Sequence, residues 1–445
     1  MKFIIPDYVK RVLNKLKEHN YESFIVGGSV RDLILGKKPW DFDVTTNAKP
    51  DEIEEIFKDY KTISIGKEFG TVVVVQEEGN IEITTYRTEG KYIDGRRPSE
   101  VKFSNKIDED LSRRDFTINA MAYNEDIGLI DPFNGRKDLE KDIIKTVGNP
   151  MERFIEDHLR ILRAVRFATQ LDFIIEDDTK KACGEMNYLL ERISVERIRE
   201  ELFKILLSEK PSYGIRLMKD LGILKIIIPE LVDAVGFNQY NPHHDKNVFE
   251  HILCVVNNTP PILEIRLAAL FHDIGKPHTL TIDEKGVGHF YGHDKLGAEI
   301  AERILKRLKC SNELINSVTI LIREHMTHHN KYKDKGLKRL INRVGKERIF
   351  NLIELQKSDR ICSSKDVNID FLFQREKEIK RILESKEPYE KKHLAIDGHD
   401  IINLGYIQGE LIGIILDYLM EKVIDDPDLN NKEKLIEITL NKFKQ

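Results

Sequence analysis

Two aspartates separated by one residue are the first candidates for chemistry in this sequence. Asp41 and Asp43 flank Phe42 and lead into the run Val44 to Thr46, a pattern typical of a strand. Residues two apart on a strand project from the same face, so both carboxylates are expected to point to one spot while Phe42 enters the core. Adjacent carboxylates repel unless a cation lies between them, and hard oxygen ligands select Mg²⁺. The pair therefore predicts a metal site that orients a triphosphate and activates an attacking hydroxyl.

A glycine pair lies a short distance upstream of these aspartates. The apolar run Phe24 to Val26 passes through Gly27 and Gly28 into a predicted helix that carries Arg31 in its first turn. Glycines let a phosphate approach the backbone, and a helix N-terminus offers unpaired N–H groups and partial positive charge. Arg31 adds a bidentate phosphate donor. This glycine pair could therefore bind a phosphate beside Gly28 and Arg31, although a double glycine before a helix is by itself usually only a tight turn.

A third segment combines two arginines, a carboxylate and an amide within the span 113–120. Arg114 is predicted to neutralise phosphate. Asp115 and Asn119 are four residues apart, so on one helix face they would hold ribose hydroxyls. The alternative is a capped helix with surface ion pairs.

A fourth segment, 156–167, reads as a helix with a charged stripe made of Asp157, Arg160, Arg163 and Arg166. A carboxylate accepts from the exocyclic amine of cytosine or adenine, while a neighbouring guanidinium donates to the adjacent ring nitrogen or carbonyl. Uracil and guanine present a carbonyl in place of that amine. A fixed pair of Asp157 and Arg160 is therefore predicted to admit C and A and to reject U and G. A solvated face with ion pairs is the alternative.

The elements that must position these residues change class along the chain. Strands are predicted near 24–26, 41–45, 71–76 and 81–86, with helices beginning after Gly28 and at Pro50. Almost everything after Asp138 reads as helix. The segment 87–103 holds two glycines, a proline and alternating charges, and a loop of that length is more often functional than idle.

Length and composition restrict the class of protein. A chain of 445 residues is expected to form two to four packing units. With 40% hydrophobic and 33% charged residues it is a globular protein, which excludes a collagen-like or disordered chain. Because 71 basic residues face 76 acidic ones, the net charge is -5, so a local patch must hold any nucleic acid.

The cysteines and the apolar runs indicate the compartment. The four cysteines, Cys183, Cys254, Cys310 and Cys362, are scattered without a CxxC pair. This pattern argues against a disulfide framework and a thiolate zinc site, and it fits a reducing compartment. The N-terminus does not read as a signal peptide, and no apolar run approaches membrane length. A cytoplasmic protein without a membrane partner is expected.

Four motifs, in chain order, carry a family resemblance: GGSVRD, DFD, RRDFTINA and EDHLRILRAVRF. Together they resemble the class II tRNA nucleotidyltransferase family, which includes the CCA-adding enzymes and the bacterial poly(A) polymerases, over roughly residues 20–205. The resemblance implies an α+β fold, with a small mixed-sheet nucleotidyltransferase head followed by an all-helical neck, HD body and tail. The predicted boundaries are 1–138 for the head, 139–235 for the neck with its base-reading helix, 236–365 for the HD domain and 366–445 for the tail.

The resemblance also implies residue roles. Catalytic metal ligands would be Asp41 and Asp43, and nucleotide contacts would come from Gly28, Arg31, Arg114, Asp115, Asn119, Asp157, Arg160, Arg163 and Arg166. The segment 86–98 is similar to the family's flexible loop, which lets the pocket switch from CTP to ATP and which members that add only C lack. The segment 192–198 resembles the neck motif that steadies the base-reading helix.

Ten of the 14 histidines fall between His243 and His329, which predicts a second centre there. The series His251, His272, Asp273 and Asp359 offers imidazole and carboxylate ligands that suit a divalent metal. The run HDIGK within this series resembles the HD-domain phosphohydrolases, with His293 and His325 as candidates for a further metal or phosphate. The resemblance suggests 2′,3′-cyclic phosphodiesterase or phosphatase action on RNA ends. The alternative is a degenerate HD fold that only binds tRNA.

The expected function is therefore a tRNA nucleotidyltransferase that adds or repairs the 3′-terminal CCA from CTP and ATP without a nucleic-acid template. Its expected cofactors are Mg²⁺ in the head and a divalent metal at the HD site, and its expected partner is the 3′ end and acceptor arm of tRNA. The oligomeric state stays open. Alternatives are an A-adding enzyme or poly(A) polymerase using ATP only, an HD phosphohydrolase whose head binds substrate, and a non-enzymatic tRNA-binding protein.

Overall fold

The computed structural model describes residues 2–64, 66–90, 95, 100–240, 246–330, 332–363, 368–385 and 387–443. It forms two compact units, Met1–Ile227 and Ile228–Gln445. Much of the predicted loop, at 91–94 and 96–99, lies outside the described residues, as do His243 and His244. None of the helices found in the described ranges is long and apolar enough to cross a membrane.

The first unit combines a sheet with helices, as expected for an α+β head. Its strands are β1 (Ser23–Val26), β2 (Asp43–Thr46), β3 (Lys61–Ile63), β4 (Thr71–Val75), β5 (Ile81–Thr85), β6 (Arg87–Glu89), β7 (Val101–Phe103), β8 (Ala122–Asn124), β9 (Gly128–Ile130), β10 (Ile143–Ile144) and β11 (Ile174–Ile175). Its helices are α1 (Asp7–Glu18), α2 (Gly28–Ile34), α3 (Pro50–Ile56), α4 (Ile107–Ser112), α5 (Gly135–Glu140), α6 (Pro150–Glu156), α7 (Arg160–Leu171), α8 (Asp177–Glu185), α9 (Val195–Leu206), α10 (Pro211–Asp220) and α11 (Ile223–Ile227).

The sheet of this unit is mixed and has the strand order β3-β4-β5-β2-β1-β8-β9. Strands β2 and β5 pair in parallel, while the other neighbours are antiparallel. All four residues of β1 are buried, which fits its place inside the sheet. The register pairs Val26 with Asp43, so the end of β1, just before Gly27, lies beside the carboxylate that begins β2. The glycine turn and the carboxylate strand therefore meet at one edge of the sheet.

The predicted strands near 24–26, 71–76 and 81–86 and the helices after Gly28 and at Pro50 are confirmed as β1, β4, β5, α2 and α3. The strand predicted over 41–45 is wrong at its start. It begins at Asp43, so Asp41 precedes the strand. The burial still alternates, because Phe42 is buried between two solvent-accessible aspartates.

The helix predicted over 113–120 is wrong. Helix α4 ends at Ser112, and only Thr117–Asn119 forms a short 3₁₀ turn. Phe116 instead forms a β-bridge with Thr146, and the amide of Thr117 donates to the Lys145 carbonyl at 2.9 Å. These long-range backbone bonds pull the segment out of helical geometry.

The single helix predicted through 156–167 is also wrong, because the chain breaks between α6 and α7. Asp157 has extended backbone angles, φ -131° and ψ 105°, and lies outside both helices. Its carboxylate accepts from the Leu159 amide at 3.1 Å, which favours starting a new helix over continuing the old one. The short parallel pair of β10 and β11 is a further departure from the all-helical neck.

Over its described residues, the second unit is helical apart from one small hairpin of β12 (Thr281–Ile282) and β13 (Gly288–His289). Its helices are α12 (Val248–Asn258), α13 (Leu263–Phe271), α14 (His293–Arg307), α15 (Asn312–Glu324), α16 (Asp334–Val344), α17 (Ile349–Ser363), α18 (Asp370–Glu384), α19 (Gly398–Asn403), α20 (Glu410–Asp425) and α21 (Lys432–Lys442). The last three helices share an apolar core that includes Ile401, Ile415, Leu419 and Leu435.

The sequence pattern argues against disulfides, and this prediction is wrong for one pair of cysteines. Cys254 of α12 and Cys362 of α17 form a disulfide, with their Cα atoms 5.8 Å apart, whereas Cys183 and Cys310 remain thiols. The two residues are 108 positions apart, and they meet only because α12 packs against α17. Sequence spacing carries no signal for such a pair, so the cysteine pattern no longer argues for a reducing compartment.

Candidate functional sites

One cavity in the first unit gathers the residues singled out from the four motifs. Its volume is about 660 Å³, within the range of small-molecule sites. The predicted residues that line it are Gly28, Arg31, Asp41, Asp43, Arg114, Asp115, Asn119, Asp157, Arg160, Arg163 and Arg166. Its other lining residues are Gly27, Asp32, Trp40, Arg113, Phe167, Gln170 and Lys204. The lining holds seven cationic side chains and five carboxylates, so the cavity is locally basic in an acidic chain.

The carboxylate pair is joined by a third acid that the sequence did not reveal. Glu82 of β5 is the register partner of Asp43 in the parallel pairing. Desolvation within the cavity, reinforced by the charges of Glu82 and Asp41, raises the pKa of Asp43 to about 6, while Arg114 opposes the shift. This mutual repulsion fits the predicted cation site, because a bound cation relieves it.

The glycine turn brings the backbone close to a guanidinium. Gly27 has φ +74°, and a Cβ placed there would lie 2.9 Å from Arg114 Nη1. A side chain at this position would be strained by both the backbone and the contact. Gly27 is thus the residue that requires glycine, whereas Gly28 begins α2.

A buried acid holds the two arginines that follow α4. Asp110 is fully buried, and its carboxylate lies 2.7 Å from Arg113 Nη2 and 3.3 Å from Arg114 Nη2. Burial raises the pKa of Asp110, but the two guanidinium groups outweigh it and hold the pKa below the usual value. Sequence reasoning missed Asp110, although its place three and four residues before the arginines is a recognisable ion-pair spacing.

Asp115 and Asn119 meet without a helix between them. Asn119 Nδ2 donates to Asp115 Oδ1 at 3.1 Å, and Arg163 Nε donates to Asp115 Oδ2 at 2.8 Å. Arg31 Nη1 donates to Asn119 Oδ1 at 2.9 Å. Burial raises the pKa of Asp115, but Arg163 and Asn119 keep it well below its usual range. The carboxylate therefore orients the amide and a guanidinium that face the cavity.

Three guanidinium groups surround one aromatic ring in the cavity wall. Those of Arg31, Arg163 and Arg166 lie 5.4, 5.2 and 4.0 Å from the centre of the Phe167 ring. Arg166 also donates to Glu201 at 2.9 Å in a buried pair. Burial and the neighbouring Arg163 lower the pKa of Arg166 to about 10. The ring fixes the direction of these cations through cation–π contacts.

Asp157 and Arg160, the predicted base-reading residues, are each held by other partners rather than by each other. Arg197 Nη2 donates to Asp157 Oδ2 at 3.0 Å. Arg160 donates to Glu156 at 2.7 Å and to the Arg113 carbonyl at 2.7 Å. Both residues still line the cavity, held separately. The contact from Arg197 agrees with the expectation that the segment 192–198 steadies the base-reading segment.

The predicted loop contacts the same segment. Its ends form the antiparallel pair β6 and β7. Between them, the Gly95 carbonyl accepts from the His158 amide at 3.1 Å. Gly95 has φ +67°, and a Cβ there would lie 2.1 Å from the His158 ring. The loop thus contacts the residue next to Asp157.

The second centre lies inside the second unit and brings the predicted ligands together. His251, His272, Asp273 and Asp359 are all buried. His251 Nε2 lies 3.0 Å from Asp359 Oδ1 and 3.5 Å from Asp273 Oδ2. His272 Nε2 lies 3.3 Å from the same Asp273 oxygen. A compact set of imidazole and carboxylate ligands results.

A further pair of histidines completes the centre. His293 and His325 approach Asp273 Oδ1 at 3.4 and 4.0 Å, on the oxygen that His251 and His272 do not use. The potential ligand atoms form two groups, His251/His272/Asp273 and Asp273/His293/His325, each with its atoms within 4.8 Å of one another. Asp273 belongs to both groups, one oxygen in each.

The hydrogen bonds of these histidines fit metal binding. The Nδ1 atoms of His272, His293 and His325 lie 2.8, 2.6 and 2.6 Å from backbone carbonyls, which places the proton on Nδ1. In the neutral rings the Nε2 lone pairs of His293 and His325 then face each other 3.3 Å apart, and the Nε2 atoms of His251 and His272 lie 3.2 Å apart. Burial, reinforced by His293, lowers the pKa of His325 to about 3, which keeps that imidazole neutral. A cation between His293 and His325 would relieve the repulsion of these two lone pairs.

Comparison with known families identifies the class. Residues 23–145 match the family "Poly A polymerase head domain", residues 172–235 match "Probable RNA and SrmB- binding site of polymerase A", and residues 248–363 match "HD domain". A nucleotidyltransferase head followed by an HD domain is thus the class that fold and sites define. Both of these families are metal-dependent, and the two histidine–aspartate groups are candidate metal sites.

Full-length relatives narrow the class to one family. The CCA-adding enzyme of Limosilactobacillus reuteri is 37% identical over 430 residues, 96% of this chain and 94% of the relative. That of Pediococcus pentosaceus is 35% identical over 98% of both chains. The crystal structure of the Bacillus stearothermophilus CCA-adding enzyme in complex with CTP matches with a TM-score of 0.72 and 27% identity, over 99% of this chain and 100% of that one. The chain belongs to the family of CCA-adding enzymes, and the nucleotidyltransferase function expected from the motifs is confirmed.

Proposed function

We propose that this chain builds the 3′-terminal CCA of tRNA from CTP and ATP, without a nucleic-acid template, in the cavity of its first unit. The observation that carries the proposal is that all eleven residues singled out from the motifs line this one cavity. Its basic lining suits a triphosphate, although the whole chain is acidic.

Each side of the cavity has a proposed task. Asp41 and Asp43 would hold Mg²⁺, which when bound neutralises triphosphate charge and lowers the pKa of the attacking hydroxyl. Arg31 and Arg114 bind phosphate oxygens. Because Gly28 has no side chain, the phosphate can approach the backbone there. Asn119, oriented by Asp115, faces the ribose.

Base selection falls to Asp157 and Arg160, with Arg163 and Arg166 supporting the nucleotide. The Asp157 carboxylate accepts from the exocyclic amine that C and A share, and Arg160 donates to the neighbouring acceptor. Because Arg197 holds Asp157 in place, the carboxylate cannot turn away from a carbonyl of U or G. Those bases would leave buried acceptors facing each other, which costs binding free energy.

The proposed division of the chain is a head over 1–138, a neck over 139–235, an HD domain over 236–365 and a tail over 366–445, with the tRNA 3′ end and acceptor arm as partner. Support for the substrates comes from relatives: the Bacillus stearothermophilus enzyme has been solved with CTP and the Thermotoga maritima enzyme with tRNA-CCA. A cytoplasmic location is part of the proposal because tRNA and nucleoside triphosphates are the substrates.

A nucleotide-by-nucleotide assay tests this proposal. Transcripts ending just before C, CC and CCA are incubated with each single nucleotide and Mg²⁺, and the added lengths are read on a gel. Two C additions followed by one A are expected, with UTP and GTP excluded. Long A tails would instead indicate a poly(A) polymerase, and no addition would contradict nucleotidyl transfer.

The second centre supports a second proposed activity, hydrolysis of phosphate esters at RNA ends. A divalent metal bound by His251, His272, Asp273 and Asp359 would supply a nucleophile from bound water. Lys276 Nζ, 2.7 Å from Asp273 Oδ2, adds a positive charge beside the ligands.

A cavity of about 410 Å³, whose lining includes Arg360, the residue after Asp359, supports this activity. It is lined by His328, His329, Asn330, Tyr332, Arg360, Phe371, Gln374, Arg375 and Glu378. Among the described residues, Arg360 Nε has no hydrogen-bond partner although it is buried. Aromatic rings and a guanidinium beside a metal site suit a terminal nucleotide and its phosphate.

The test uses RNA that ends in a 2′,3′-cyclic phosphate, incubated with the full chain and Mn²⁺. Ring opening is expected in the wild type and its loss is expected in His272→Ala. A metal-loaded wild type that leaves the cyclic phosphate intact would favour the alternative of a tRNA-binding body without hydrolase activity.

A further inference from the structure

Trp40 is the only tryptophan in the chain, and it is 98% exposed. An exposed large apolar side chain is not informative by itself, and Ile4 is 94% exposed as well. Trp40 differs because it lines the nucleotide cavity and directly precedes Asp41. Ile4 does not line this cavity.

The indole of Trp40 is not used for packing. Two residues further on, Phe42 is buried at 4% exposure and anchors the segment to the core. Trp40 makes no ring contact, cation contact or hydrogen bond with any residue in the described ranges. Both faces of the largest aromatic side chain are therefore available to a ligand at the mouth of the cavity.

The proposed transfer, on which this inference rests, determines which ligand group comes close to Trp40. The 3′ hydroxyl of the RNA must reach the carboxylates of Asp41 and Asp43, so the nucleoside that carries it lies beside the residue preceding Asp41. The base of the incoming nucleotide is assigned to Asp157 and Arg160. The base near Trp40 is therefore the terminal base of the RNA.

Stacking suits this base better than hydrogen bonding does. During CCA synthesis the terminal base changes, since the first C is added to the last base of the tRNA body and the next additions follow a C. A hydrogen-bonding reader would reject some of these ends, whereas an aromatic face accepts every base. We propose that Trp40 is an RNA-binding residue that stacks on the 3′-terminal base of the growing tRNA.

The kinetic test compares Trp40→Ala, Trp40→Phe and the control Ile4→Ala. Loss of the indole is expected to raise KM for RNA on the order of tenfold, as for the loss of one stacked base. KM for CTP is expected to stay unchanged, and Trp40→Phe is expected to retain most of the affinity. Because Trp40 is exposed, its replacement leaves the packing of the first unit intact, and the thermal midpoint checks this.

A matched RNA whose terminal nucleoside lacks its base completes a double-mutant cycle. With this RNA, wild type and Trp40→Ala are expected to have the same KM. An equal penalty on normal and abasic RNA would overturn the stacking proposal, as would an unchanged KM for RNA in Trp40→Ala.

Fluorescence gives a readout that does not depend on turnover, since Trp40 is the only indole. Addition of a transcript ending before CCA is expected to quench the emission, and CTP alone is expected to leave it unchanged. Quenching by CTP alone would assign the indole to the incoming nucleotide and overturn the proposal. In Asp43→Asn the quench is expected to persist while addition stops, so failure of Trp40 stacking and failure of nucleotidyl transfer are distinguishable.

Discussion

The two centres of this protein hold their functional groups in different ways. In the head cavity, arginines and carboxylates from separate segments pair with one another, as Arg163 does with Asp115 and Arg197 with Asp157. At the HD centre, buried imidazoles are fixed by backbone carbonyls and point their Nε2 atoms at each other.

Under the proposed functions, this difference corresponds to two kinds of ligand. A cavity of exchangeable ion pairs can accept successive nucleotides and a growing RNA end, because its side chains have partners both with and without substrate. A buried set of imidazoles around one shared carboxylate is closed to such exchange and, under the proposed function, would hold an ion that stays bound. The geometry of the head cavity therefore depends on ion pairs among many residues, whereas the geometry of the HD centre depends on a few buried side chains.

The largest effect is expected at the shared ligand of the HD centre. Asp273→Asn weakens both ligand groups, so the purified protein should lose its bound divalent metal entirely, whereas His325→Ala should affect only one of the two groups. Metal content per chain by elemental analysis measures this, with His289→Ala, which lies outside both groups, as the control. A full metal complement in Asp273→Asn would contradict the shared-ligand geometry.

The next effect concerns a buried ion pair of the head. Glu201→Ala leaves the Arg166 guanidinium buried without its carboxylate, which should lower the free energy of unfolding by roughly 3–5 kcal/mol. Urea denaturation measures the loss, and Glu200→Ala, an exposed neighbour on α9, serves as the control. Equal stability of the two variants would mean that Arg166 finds another partner.

Base selection should respond to a residue outside the cavity. Arg197→Ala removes the donor that holds Asp157, so misincorporation of UTP relative to CTP is expected to rise on the order of tenfold. Single-nucleotide incorporation assays measure the ratio, with the exposed Arg192→Ala as the control. Unchanged selectivity would show that Asp157 needs no second residue to hold it.

The smallest expected effect lies in the loop. Gly95→Ala introduces a Cβ against the His158 ring, whereas Gly148→Ala has a similar positive φ but nothing within 4 Å. Both variants introduce backbone strain, so a difference in their rates reports the contact with the His158 ring alone. Addition of A is expected to fall by about fivefold or less in Gly95→Ala, and addition of C by less, because the loop is expected to act in the switch to ATP. Equal rates of A addition in Gly95→Ala and Gly148→Ala would show that the contact between Gly95 and His158 has no role in the reaction.

The residue types of the head cavity could be predicted from the sequence because the chemistry restricts them. A triphosphate with a metal requires close carboxylates, glycine and arginine, and these occur together within short segments. The same holds for the HD series, in which His272 and Asp273 are adjacent. Which residues come together in a site can therefore be predicted even where backbone geometry cannot.

The backbone around these residues could not be predicted in the same way. Periodicity indicates a helix through Arg113 to Asn119, but the bridge of Phe116 to Thr146 overrides it. The break at Asp157 was detectable in principle, since aspartate often caps a new helix. Pairing partners such as Asp110 and Glu201 depend on contacts between segments, which no local pattern records.

One crossed experiment determines whether nucleotidyl transfer and metal binding at the HD centre belong to separate sites. Wild type, Asp43→Asn and Asp273→Asn are purified in parallel, and CTP addition and tightly bound metal are measured on the same samples. Asp43→Asn is expected to lose addition by about a thousandfold with its metal content unchanged, and Asp273→Asn is expected to lose its metal with addition unchanged. Full addition in Asp43→Asn, or loss of both properties in either folded variant, would contradict the separation of the two sites.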